Sequence, residues 1–361
     1  KNKVKSLDPT RPVTAAICGF WEFPGRPWED TEPAFELFDV QGYNYKWERY
    51  ESDHQIFTDR IILGTESIAG DVFENWQLVE KYPWVTGDFL WTSMDYLGEA
   101  GIGNALLDNE KKEWPWFNAY CGDIDLCGFK KPQSYYRDVV WGISDLEIAV
   151  HTPLPEGRKE IVSFWGWPDE SQSWNWEGHE GEQLSVSIYT SCDSVVMELN
   201  GNEVAVVDLQ DSARLRSHIN LEYHPGELTA TGYKNGKQIA TRSLSTTGQP
   251  HSLNFSAVCS DIIADRNDLV YITVEIIDVS GLRIPDAQLP VYFQIFGNGK
   301  FAGVGNGNPR DIKSFQQPEC MTFRGRCLLI VRPEIVENGE IKVKAISDGL
   351  VEAEITVLVQ K

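Results

Sequence analysis

The feature that most constrains this chain is a change of hydrophobic period near Ser144. Upstream of it, short apolar runs alternate with helical patterns; Ile61, Ile62 and Leu63 form one such run, Gly64-Thr65 closes it, and Ala69 to Tyr82 carries a helical pattern. A buried strand followed by a helix is one βα step of an α/β fold. Downstream, Leu146 to Val150, Ile161 to Phe164, Leu184 to Thr190, Val195 to Leu199, Glu203 to Leu209 and Leu228 to Tyr233 read as short alternating strands separated by turn residues. Two of those turns, Asn200-Gly201 and Asn235-Gly236, are dipeptides that favour type I′ hairpins. This is the pattern of an antiparallel β-sandwich of the immunoglobulin-like class. Past a linker at Thr246 to Pro250 a second series follows: Leu253 to Ser260, Val270 to Asp278, Val291 to Phe296, Gly325 to Arg332, Glu340 to Ser347 and Val351 to Val359. The chain therefore divides into an α/β part over 1–143 and two sandwiches over 144–248 and 249–361.

In the α/β part, strands are expected at Val13 to Cys18, Phe38 to Tyr43, Ile61 to Thr65 and Val85 to Trp91, with helices over Glu48 to Thr58 and Asp71 to Lys81 and a Trp-, Pro- and Gly-rich loop from Gly19 to Pro33. The strands end on one side in polar or aromatic residues: Asn44-Tyr45, Glu66, then Trp91 with Asp95 beyond. Strand ends converging in this way build the active sites of (β/α)8 barrels, although a closed barrel needs eight strands. Position alone leaves two readings of Glu66 open. It is a catalytic carboxylate at a barrel mouth, or an acid at a helix start that favours the dipole and satisfies free N–H groups. If the outer strands at Val13 and Val85 are uncovered edges, Ile17, Phe89 and Leu90 should be exposed.

Composition narrows the partners. A formal net charge of −22 opposes binding to nucleic acid or to an anionic membrane, since both require a basic face. A neutral or cationic ligand fits better. No apolar run reaches the length of a membrane-spanning helix. The seven cysteines form no CxxC pair, and the six histidines show no ligand-like spacing, so no metal site is expected from them. The stretch Gly297 to Pro309 lacks the spacing of a phosphate loop and is read as a surface loop. Thirteen tryptophans are heavy usage. The cluster Trp165, Trp167, Trp174 and Trp176 is either a sugar-binding platform or packing between the first sandwich and the α/β part, and packing is the preferred reading. At the strand ends a carboxylate, a phenol that can hydrogen-bond it and an indole wall suit glycoside hydrolysis.

The segments SLDPTRPV at 6–13, FDVQGYNY at 38–45, ILGTESIAG at 62–70 and GDFLWTSMDYLGE at 87–99 resemble the second half of the catalytic barrel of glycoside hydrolase family 2, the β-galactosidase and β-glucuronidase group. The segment at 174–204 resembles the sandwich that follows the barrel in bacterial β-galactosidases, and GVGNGNP with FRGRCLLIVRP resembles their last module. The resemblance implies a TIM-barrel half, strands 5 to 8, followed by two immunoglobulin-like sandwiches. It makes Glu66 the nucleophile of a retaining exo-β-glycosidase, Tyr45 the phenol that positions it, and Trp91 and, as a lesser match, Asp95 substrate-binding residues; Asn44, at the same strand end as Tyr45, joins the substrate-binding group by its place. The family's acid/base glutamate lies upstream of the DPTRP turn and has no match here, so the front of the enzyme, on the same or a separate chain, is an expected partner beside an oligo- or polysaccharide β-glycoside. These residues alone are then expected to turn over no glycoside. No organic cofactor is implied; the family admits a metal ion near the site, but nothing in this chain has the spacing to hold one alone. The competing reading is a non-catalytic, carbohydrate-binding or structural sandwich array with an inert barrel remnant.

Overall fold

The apolar run at Ile61 forms a strand whose first residue is Ile62, and it lies inside a parallel sheet. The computed structural model describes residues 1–109, 115–210, 214–265, 267–334 and 338–360. After helix α1 (Asn2–Leu7) come β1 (Ala16–Ile17), the short helix α2 (Glu32–Phe35), β2 (Gln41–Asn44), α3 (Tyr50–Ile56), β3 (Ile62–Ser67), α4 (Val72–Lys81) and β4 (Val85–Leu90). The four strands pair side by side in chain order, all parallel. Gly42 permits the close approach of β1 to β2, because a Cβ there would stand 2.3 Å from the Ala15 carbonyl oxygen. Behind β2 and β3, Tyr43, Tyr50, Phe35, Trp28 and Ile62 form a buried aromatic and aliphatic core.

That core holds a satisfied polar network. Asp53 accepts from Trp28 Nε1 at 2.8 Å and from the Tyr43 hydroxyl at 3.0 Å, and Arg60 donates to the Tyr43 oxygen at 2.7 Å and to Glu32 at 2.5 Å. A buried charge cluster of this kind is tolerable only when its members are paired, and this one fixes β2 from behind.

Strands are shorter or displaced where polar residues interrupt the apolar runs. The expected Val13 to Cys18 strand pairs only at Ala16–Ile17, and the one expected at Phe38 begins at Gln41. β1 and β4 are indeed the sheet's outer strands, but only part of the expected exposure follows. Phe89 is exposed, Leu90 is half-buried, and Ile17 and Val85 are buried against the aromatic core.

Helix α5 (Pro132–Val140) leads into two pairs of sheets. The first pair sets Glu170–Ser171, Leu146–His151, Gln183–Thr190 and Arg216–Glu222 against Asn202–Asp208, Ser194–Leu199, Glu227–Lys234 and Lys237–Ser245. One core, with Leu146, Ile148, Ile188, Val195, Met197 and Trp174, joins the two sheets. In the second pair, Ser252–Ala257, Val270–Ile277, Arg326–Pro333 and Gly299–Gly305 face Asp261–Ile263, Ala353–Gln360, Gly339–Ile346, Pro290–Gly297 and Glu319–Met321. Pairing is antiparallel throughout, except that Asp261–Ile263 runs parallel to the final strand. Both Asn-Gly turns adopt positive φ at both residues, as type I′ geometry requires.

Two expectations are corrected. The glycine-rich stretch read as a surface loop is largely a strand, Gly299–Gly305, paired to Arg326–Pro333 with a register shift between Phe301 and Gly303. Glycine is needed there because a Cβ at Gly299 would stand 2.6 Å from the Ile341 side chain. The strand expected from Ile161 to Phe164 within the first sandwich is Glu160–Val162, which pairs with Ala105–Leu107 outside it. The loop after it, 163–169, runs back toward the parallel sheet.

Candidate active site

β2 and β3 bring three of the five expected site residues together. Tyr43 pairs with Gly64, but Asn44 pairs with Glu66, so Thr65 is an extra residue in β3. A bulge of this kind re-aims the side chain that follows it, here Glu66. The Thr65 hydroxyl donates to Asn44 Oδ1 at 2.6 Å, which ties the bulge to the neighbouring strand. Immediately after β2, Tyr45 adopts a left-handed backbone with φ 53, and its N–H donates to the Glu66 carbonyl at 2.7 Å. A left-handed non-glycine residue costs on the order of 1 kcal/mol or more, a strain that tends to persist where function requires it.

The Tyr45 hydroxyl lies within hydrogen-bonding reach of the Glu66 carboxylate and accepts a hydrogen bond from Trp165 Nε1 at 3.0 Å. Burial pushes the phenol's pKa up; the Trp165 N–H opposes that shift, while the bond to Glu66 and its charge reinforce it. Tyr45 therefore keeps its proton and has one to give. Glu66 is half-buried. Cys18, directly after β1, has its thiol pKa raised first by burial and then by the charge of Glu66.

Aromatic rings wall this group. Trp21 packs on Tyr45 with ring centroids 5.5 Å apart and on Trp165 at 5.9 Å, while Phe164 sits edge-on to Trp165 at 5.0 Å. Trp21 comes from the long loop after β1, and Phe164 and Trp165 come from loop 163–169. None of the three was singled out by sequence as a site residue, although Trp165 belongs to the tryptophan cluster. Packing between the first sandwich and the α/β part holds for Trp167, which lies with α4, α5 and Tyr189, whereas Trp174 and Trp176 belong to the sandwich's own core. Trp165 is different, since its indole N–H points at the candidate site.

Trp91 follows β4. Its N–H donates to the Ser67 carbonyl at 2.9 Å, and its ring meets Tyr96 edge-on at 5.9 Å. It therefore closes the strand next to the one bearing Glu66. Asp95 is buried. Its side chain is fully enclosed, Oδ1 takes Lys131 Nζ at 2.8 Å and the Gly122 N–H at 2.8 Å, and burial pushes its pKa up to about 6. Asp95 thus holds a buried lysine, and its enclosed carboxylate is not open to a ligand in this structure. Deeper in the sheet, Asp88 accepts from the Ser67 hydroxyl at 2.8 Å, and burial raises its pKa to about 6 as well. Among the described residues, no group of three or more His, Cys, Asp or Glu side chains is placed to hold a metal ion.

A carboxylate able to act as a nucleophile, a protonated phenol next to it and rings able to face a sugar are a set that suits glycoside hydrolysis. Residues 253–356 match the glycoside hydrolase family 2 C-terminal domain 5, and residues 181–240 match a domain of unknown function, DUF4982. A β-galactosidase of Bacteroides ovatus, BoGH2A, is 26% identical over 97% of this chain and 42% of its own length. A putative β-glucuronidase of Formosa agariphila is 28% identical over 87% of the chain and 28% of its length. Among solved structures, a glycosyl hydrolase family 2 member from Bacteroides cellulosilyticus superposes over 100% of the chain and 46% of its own, at TM-score 0.90 and 37% identity. The chain therefore spans less than half the length of these relatives. The match runs through the parallel sheet and both sheet pairs alike, so the chain corresponds throughout to the C-terminal part of glycoside hydrolase family 2 relatives.

Proposed function

We propose that the intact protein is a retaining exo-β-glycosidase and that Glu66 is its nucleophile. The observation that carries this reading is the Tyr45 hydroxyl beside the Glu66 carboxylate, at the C-terminal edge of a parallel sheet and under an aromatic wall. Glu66 attacks the anomeric carbon to give a glycosyl-enzyme, while an acid/base glutamate outside residues 1–361 protonates the leaving oxygen and later takes the proton of the attacking water. Asn44 and Trp91 line the glycone side. This chemistry needs no organic cofactor. β-Galactosides are the favoured substrates, because the relative aligned over 97% of the chain is a β-galactosidase. In this reading the four parallel strands are half of an eight-stranded barrel, residues 1–143, and the two sheet pairs are immunoglobulin-like modules over 144–248 and 249–361.

The test is a screen of nitrophenyl β-glycosides on the intact protein, followed by trapping with the matching 2-fluoro-glycoside. Turnover with a mass adduct on Glu66 is expected. Turnover of β-glucuronides alone would replace the sugar and keep the mechanism. No turnover of any glycoside would favour a non-catalytic sandwich array.

A further inference from the structure

A phenol has one proton to give and two lone pairs to fill. At Tyr45 one lone pair is occupied by Trp165 Nε1–H at 3.0 Å, which leaves the proton to be given elsewhere, and Glu66 is the carboxylate whose interaction helps to raise the phenol's pKa. The donor comes from 120 positions downstream, outside the parallel sheet, and the loop that carries it is held firmly. Ser163 N–H donates to the Asn104 carbonyl at 2.9 Å, Asp169 N–H to Glu160 Oε1 at 2.9 Å, and Trp167 Nε1 to Glu170 Oε2 at 3.1 Å. Directly after Trp165, Gly166 lies so close to this anchor that a Cβ would stand 2.8 Å from the Asn104 oxygen. The indole is thus set by backbone contacts rather than by the ring stack alone.

Resting on the assignment of Glu66 as nucleophile, we infer that Trp165 is a positioning residue which, through its N–H, holds the Tyr45 hydroxyl as a donor to the Glu66 carboxylate. It touches no reacting atom. Hydrogen bonds in series polarise one another, so the indole makes the phenol a stronger donor. The step that feels this most is release of the sugar. When the bond between the anomeric carbon and Glu66 breaks, the electron pair returns to the carboxylate, and the Tyr45 proton stabilises the charge that develops there.

The experiment is reactivation of the 2-fluoro-glycosyl enzyme in Trp165→Phe, which keeps a ring and removes the N–H. Reactivation should slow by about three- to tenfold, the worth of one hydrogen bond, with the melting temperature unchanged. In a Tyr45→Phe background the same substitution should add nothing, and Trp165→His, which retains a ring N–H, should recover part of the rate. An adduct on Glu66 with unaltered reactivation in Trp165→Phe, or equal slowing with and without the Tyr45 hydroxyl, would overturn the inference and leave the nucleophile in place. An adduct on any other residue would overturn the nucleophile and the inference together.

Discussion

Tyr45 meets Glu66 twice, once through its backbone N–H on the Glu66 carbonyl at 2.7 Å and once through its hydroxyl beside the carboxylate. The first contact fixes the chain on which the second depends. Glu66→Gln keeps the shape and the backbone bond but removes the attacking oxyanion. In the intact enzyme kcat should fall by several orders of magnitude with the melting temperature unchanged, as measured by steady-state kinetics and calorimetry. Tyr45→Phe should cost far less, about tenfold in kcat with little change in KM. Equal losses in the two variants would contradict the roles assigned to them.

Trp91 should act on binding rather than on chemistry. Its ring is steadied by Tyr96, and its backbone by Ser67. Trp91→Ala should raise KM and the inhibition constant of a glycone analogue by a factor corresponding to ~1 kcal/mol or more. Unchanged inhibitor binding would remove Trp91 from the pocket.

Asp88 supplies a pH test of the sheet. Its folded pKa of about 6 lies above its ordinary value of 3.8, so the folded protein holds this proton more tightly than the unfolded chain. The stability tied to the protonated acid is complete below about pH 4 and is lost as pH rises through about 6. Asp88→Asn can still accept from Ser67 and cannot ionise. It should match wild type near pH 4 and be more stable at pH 8 by at most about 3 kcal/mol, followed by urea unfolding at the two pH values. A variant that loses stability at pH 8 would mean that the ionised form is the one the fold prefers.

The enclosed pair of Asp95 and Lys131 supplies a stability test. Burial lowers the lysine's pKa and raises the aspartate's, and Asp95 Oδ2 has no partner among the described residues. Lys131→Met strands a buried carboxylate and should destabilise by ~3–5 kcal/mol. Adding Asp95→Asn should recover much of the loss in thermal melts. A single variant as stable as wild type would show that Asp95 carries no charge in the folded state.

What was legible in the sequence had local causes. β3 announces itself because Ile62 and its neighbours form an apolar run closed by a glycine, and the hairpins at Asn200 and Asn235 because few residues accept their backbone geometry. Arg216–Glu222 and Lys237–Ser245 escaped notice as outer strands whose exposed faces carry polar residues, which masks the alternation. Gly299–Gly305 escaped because glycine signals a turn until the facing Ile341 is known. Glu66, Tyr45 and Asn44 could be grouped because they end adjacent strands. Trp21, Phe164 and Trp165 could not, since no periodicity links a ring in loop 163–169 to a phenol at residue 45. The lysine that holds Asp95 was not legible either, since it lies 36 positions further on.

Loop 163–169 has one more consequence. It begins in a strand paired to Ala105–Leu107, returns to the first sandwich at Glu170 and on the way contributes to the wall around Tyr45. The sandwich is therefore not a detachable accessory that recombination can exchange at its boundary. A swap that grafts a relative's sandwich onto this sheet carries a foreign side chain up to the Tyr45 hydroxyl. Exchanging the sandwich should then alter the surroundings of Tyr45 even when every residue of the parallel sheet is retained, unless the junction lies beyond Glu170.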